Sequence, residues 1–164
     1  LSTNDFNLCN LFELVGDTKS NARIALNIKS DGLQKKLKEI VVEKSLKMKN
    51  FYVFDMSIPD TLGYRKMKMP FYSRLSEYET ELNLLKTAVG AWVDNFSGDF
   101  EQIEYSKKIL EMGKRVAFVS PELHCREHLG VWREIRSANL HRSTCFEMCT
   151  DFPEEAHKFF SEEK

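Results

Sequence analysis

Excess charge is the first thing this chain lacks: 24 Lys and Arg against 25 Asp and Glu leave a net charge of −1. That balance removes the strong basic field that draws in nucleic acid or anionic lipid, so no nucleic-acid partner is expected. Long apolar runs are missing too, and none approaches the ~20 residues of a membrane-spanning helix. The chain opens Leu1-Ser2-Thr3, without an initiating Met and without the basic and apolar stretches of a signal peptide. A cytoplasmic protein, processed or truncated at its N-terminus, is the expectation. The seven glycines are scattered and build no Gly-rich phosphate loop. Cys9, Cys125, Cys145 and Cys149 include no CxxC pair and no zinc-ligand spacing. They are expected as buried free thiols in a reducing compartment. Cys145 and Cys149, four apart in an expected strand, would share one face. No linker, repeat or low-complexity segment interrupts residues 1–164, so a single domain is expected, long enough to bury one core.

What is present is a repeated pattern. Six short apolar runs each lead into a charged or hydroxylated residue. Arg23–Ile28 leads into Lys29, Phe51–Phe54 into Asp55, and Pro70–Tyr72 into Ser73 and Arg74. Ala88–Val93 leads into Asp94, Val116–Val119 into Ser120, Glu122 and His124, and Thr144–Cys149 into Thr150 and Asp151. Helical periodicity lies between them. Leu33, Leu37, Ile40 and Val41 form one stripe, and a short helix starts at Ile58-Pro59-Asp60. Further helices are expected over 75–86, 100–112 with Gly113 as C-cap, 127–136, and from Pro153 through Phe160. Leu11, Phe12, Leu14 and Val15 suggest another short helix within an otherwise polar, loop-like N-terminal stretch.

Alternating strands and helices predict an α/β fold with a parallel sheet. The strand ends at 29, 55, 74, 94, 120 and 151 lie 19 to 31 residues apart, which suits compact βα units. Eight such units usually need about 250 residues. Six units therefore fit either a barrel short of two units or an open doubly wound sheet, and periodicity does not separate these.

Parallel sheets present ligands to their C-terminal strand ends, so the recurrent polar residues there read as a site. Lys29 can meet a phosphoryl oxygen as a point charge, or snorkel to solvent beside Asp31. Asn27 would share its face, with Leu26 and Ile28 on the other. Asp55, Arg74, Asp94 and Asp151 would converge on one mouth if the sheet closes, and carboxylates mixed with cations suit a phosphate ester. Glu122 and His124 can serve the same site or simply bond within their loop. His124 and His128, spaced i and i+4, can share a helical face, but no HExxH motif accompanies them. His128, His141 and His157 read as surface residues. Asp151 before Phe152-Pro153 reads either as a helix cap or as part of the site rim.

The ordered segments Ala25–Leu33, Phe54–Asp60, Ser73–Glu79, Ala91–Phe96, Val119–His124 and Thr150–Pro153 together resemble the glycerophosphodiester phosphodiesterase-like branch of the phosphatidylinositol-phospholipase-C-type barrels. The resemblance runs from about residue 22 to 160 and aligns this chain's first strand with the family's third. It implies a TIM-type barrel lacking its first two βα units. It also implies a phosphoric diester hydrolase of lipid metabolism, using Mg²⁺ or Ca²⁺ on glycerophosphodiesters or phospholipid head groups. Lys29 and His124 would be catalytic, Arg74, Asp55, Asp94, Glu122 and Asp151 substrate-binding, and Asn27 would stand at a metal-ligand position. The family's His-Arg-Gly turn and Glu-x-Asp pair occur nowhere in these 164 residues, and Asn27 replaces an acidic residue. The resemblance thus implies weak metal binding and little or no turnover by this polypeptide. The open edges of an incomplete barrel would favour self-association. A non-catalytic phosphate-binding or structural α/β domain is the competing reading.

Overall fold

Among the described residues the strands and α-helices largely coincide with the apolar runs and stripes, because burial of those residues is what the elements achieve. The structure, a computed structural model, describes residues 8–17 and 23–162. In chain order it contains α1 (Leu8–Asp17), β1 (Ile24–Asn27), α2 (Gln34–Glu43), β2 (Phe51–Phe54), α3 (Ile58–Lys66) and β3 (Tyr72–Leu75). β4 (Gly90–Val93), α4 (Gln102–Glu111), β5 (Arg115–Val119), α5 (Leu129–Ser137), β6 (Phe146–Cys149) and α6 (Pro153–Ser161) follow. The fold is α/β with parallel sheets. The chain divides after Phe71 into two compact units.

In the first unit β1 and β2 pair in parallel, with Ile24 opposite Phe51 and Asn27 opposite Phe54. All four residues of β2 are buried, as in a parallel strand covered on both faces. β1 alternates half-buried Ile24 and Leu26 with exposed Ala25 and Asn27, so Asn27 does lie opposite Leu26 and Ile28, with Lys29 on its own side. Leu37 and Val41 of α2 are buried, and Tyr64 of α3 is fully so. The Ser57 hydroxyl caps α3 by accepting from the Asp60 amide at 3.3 Å, and Pro59 follows in the first turn.

In the second unit four strands pair in parallel in chain order, β3-β4-β5-β6. Val93, Val116, Phe118, Trp132 and Ile135 are buried. Gly90 is where the sheet leaves no room: a Cβ there would stand 2.6 Å from the Arg115 carbonyl and 2.7 Å from the Tyr72 ring. Gly113 ends α4 with φ +70°, as expected of a glycine past a helix end.

The helix expected over 75–86 does not form. β3 takes Leu75, the first residue of that stripe. Ser76 and Glu79 then exchange backbone hydrogen bonds of 3.1 and 3.2 Å, and the Ser76 hydroxyl accepts from the Tyr78 amide. A serine that bonds its own loop competes with helix formation. Leu85 is fully buried from a turn, whereas Tyr78 is 75% exposed. The same shift places Ser73 and Arg74 inside a strand rather than beyond its end.

Candidate functional site

Polar side chains gather at the C-terminal strand ends of each unit. In the first, Lys29 Nζ lies 2.5 Å from the Asp55 carboxylate, bridging the ends of β1 and β2. Lys29 pairs with Asp55, and its side chain, 72% exposed, also reaches solvent. Asp55 holds a left-handed φ of +70°, a conformation that aspartate tolerates better than most residues and that turns its carboxylate at the strand end. Just beyond, Asp31 accepts from the Ser57 hydroxyl at 3.0 Å, and the Asp60 carboxylate accepts from the Gly32 amide at 2.9 Å and from the Gln34 side chain.

In the second unit the Asp94 amide donates to the Leu75 carbonyl at 2.8 Å, which fixes Asp94 at the end of β4. Its Oδ1 accepts from the Asn95 amide and lies 2.7 Å from His124 Nε2. Both side chains are mostly buried, 14% and 22% exposed. Phe96 covers the imidazole with ring centroids 4.8 Å apart. The arrangement is a carboxylate-oriented histidine, its ring held at Nε2 by Asp94 and covered by Phe96.

Glu122 has a different task. It accepts from the Ser120 and Thr150 hydroxyls and from the Asp151 amide, and so staples the end of β5 to that of β6. Burial opposes its charge, but those donors outweigh burial and hold its carboxyl below the usual range. Trp132 Nε1 donates to Ser120 at 2.8 Å, closing the chain of bonds from a fully buried indole. Gln102 ties the other side, donating at 2.8 Å to the carbonyls of both Val93 and Val119. Burial, then the charges of Asp151, Asp94 and Glu122, push the Cys149 thiol up.

Several sequence expectations change here. Asp151 is not the cap of α6; Phe152 occupies that position without a side-chain cap, and Thr150 bonds the Phe152 amide instead. His124 and His128 share no helical face, because His124 ends a 3₁₀ turn, Cys125 turns left-handed at φ +55°, and His128 precedes α5. His128 is not a surface residue: it packs on Trp132 and Phe152 with centroids 4.3 and 5.1 Å away. His141 stacks half-buried on Phe160, while His157 is exposed. All four cysteines are free, but Cys125 is exposed and the others only half-buried. Arg74, half-buried within β3, pairs with Glu79 at 2.8 Å. Lys29 and Asp55 thus come together in one unit, and Asp94, His124, Glu122 and the Asp151 backbone in the other. Sequence reading missed Gln102, Trp132 and Asp60 as organisers of these ends. Only Asp60 carried a signal, its place three residues after the capping Ser57.

The divalent metal implied by the resemblance finds a poor donor set. Asn27 offers a neutral amide, Asp55 is ion-paired with Lys29, and Asp94 with His124. Among the described residues no group of three or more His, Cys, Asp or Glu is placed to hold a metal ion. Among them also, no helix is long and apolar enough to cross a membrane. The sequence matches no protein-family model and no curated protein.

Proposed function

We propose that this chain is a phosphoric diester hydrolase-like α/β domain that recognises phosphate esters of the glycerophosphodiester or phospholipid head-group class. One observation carries the reading: the strands end, in each parallel sheet, in a set suited to such a ligand. In the first unit Lys29 is the phosphate contact, held at the strand end by Asp55. In the second, Asp94 orients His124 for proton exchange at its other ring nitrogen. The chain-order pairing β3-β4-β5-β6 supports a barrel-type arrangement over a doubly wound one, in which strand order reverses at a switch point. The resemblance supplies the substrate class.

Asn27 stands where the family carries an acidic ligand, and Glu122 spends its carboxylate on its own chain. We therefore read the 164 residues as binding the ester without efficient turnover. General acid–base groups typically supply about 10²–10⁴-fold each, so a domain whose described residues include one carboxylate-oriented histidine and no assembled metal-ligand group falls far short of a full phosphodiesterase. The test is hydrolysis of glycerophosphodiesters by the purified chain with Mg²⁺ or Ca²⁺. Turnover near background is expected. Robust turnover lost on Lys29→Ala or Asp151→Ala would show a complete site and overturn the reading.

A further inference from the structure

Asp60 is 4% exposed, the most deeply buried carboxylate among the described residues, whereas Lys29 pairs with Asp55. Its Oδ1 accepts from the Gly32 amide at 2.9 Å and from Gln34 Nε2. Its backbone amide donates to Ser57 Oγ, whose own proton goes to the Asp31 carboxylate. The cap and first turn of α3 thus grip Asp31 and Gly32 in the turn after Lys29, and Gln34 at the start of α2. Gly32 makes the tight turn with φ +85°. Between the end of β1 and this grip, the Ile28 amide donates to the Phe54 carbonyl at 3.0 Å. Lys29 itself is a long, exposed side chain, and an exposed ion pair contributes too little to order the loop alone. Burial, then the charges of Asp60 and Asp31, push the neighbouring Tyr64 phenol up to about 12.

We infer that Asp60 is a positioning residue: its buried carboxylate clamps the Asp31–Gln34 turn and thereby holds Lys29 against Asp55 at the strand end. The inference rests on the reading of Lys29 as the phosphate contact. What the clamp needs is an acceptor oxygen, not a negative charge, because Oδ2 has no partner among the described residues. Asp60→Asn should therefore preserve it and Asp60→Ala should not.

The test compares these variants of the full chain by amide hydrogen exchange and by carbon-13 NMR of the Asp55 carboxyl, neither of which requires a ligand. Asp60→Ala is expected to speed exchange of the Gly32 amide by about tenfold or more, with the amides of β1 and β2 still protected. It should also move the Asp55 signal in the direction that Lys29→Ala moves it. Asp60→Asn should restore both to near wild type, which a charge requirement would forbid. Should Asp60→Ala unfold the unit, Gln34→Ala removes one donor only and is expected to move the same two signals less. Unchanged Gly32 exchange, an unmoved Asp55 signal, or an Asn variant that behaves like the Ala variant would each overturn the clamp. A chain that passes these tests but binds no glycerol phosphate keeps the clamp and loses the phosphate reading.

Discussion

Asp94 and Glu122 sit two strands' ends apart in function although both are carboxylates after apolar runs. Asp94 gives one oxygen to His124, whereas Glu122 is saturated by donors of its own chain. The difference sets a pH prediction. Glu122 titrates below its ordinary value of 4.5 when folded, so its contribution to stability is present above 4.5 and lost as pH falls through the lower folded value. Acid titration of chemical stability should show that decline in the wild type and a shallower one in Glu122→Gln; equal slopes would contradict the staple. Replacing Trp132 by Phe leaves the buried Ser120 hydroxyl without its indole donor. A loss of about 1–2 kcal/mol in urea unfolding is expected. At this scale the sequence placed Lys29, Asp55, Asp94 and His124 correctly at strand ends, because strand ends are local. It could not say which carboxylate was spent on the fold, because Thr150 and Glu122 meet across 28 residues.

The elements were legible where one face or one run does one job. Phe51–Phe54 is apolar throughout and forms a strand with every residue buried. Glu127–Arg136 carries a clean stripe and becomes α5, burying Trp132 and Ile135. The 75–86 stretch misled because Leu75, Tyr78, Leu82 and Leu85 fall at helical spacing by coincidence. Leu75 belongs to β3, Tyr78 faces solvent, and Leu85 is buried from a turn. Ser76, which could have warned of a turn, is a weak signal in a single sequence. Gly90 tests the packing of the second sheet. Its neighbours at 2.6 and 2.7 Å are a backbone carbonyl and a buried ring, neither free to move. Gly90→Ala should cost about 1–3 kcal/mol, seen as a lowered midpoint in thermal or urea unfolding. An unchanged midpoint would mean the strands can separate to admit a methyl group.

The molecule as a whole is two α/β units, each with parallel strands whose C-terminal ends carry its polar set. β1 lies at the edge of its two-stranded sheet and β6 at the edge of its four-stranded one. Edges of this kind invite pairing with another chain, so size exclusion of the purified protein is expected to show dimers or larger species. A sharp monomer at high concentration would contradict that expectation. The central claim, recognition of a phosphate ester at the strand ends, is tested most directly by calorimetric titration with sn-glycerol 3-phosphate. The account predicts measurable binding to the wild type and a weakening of about threefold to tenfold in Lys29→Ala, as befits a partly solvated charge-assisted contact. No binding by the wild type, or equal binding by Lys29→Ala, would contradict it.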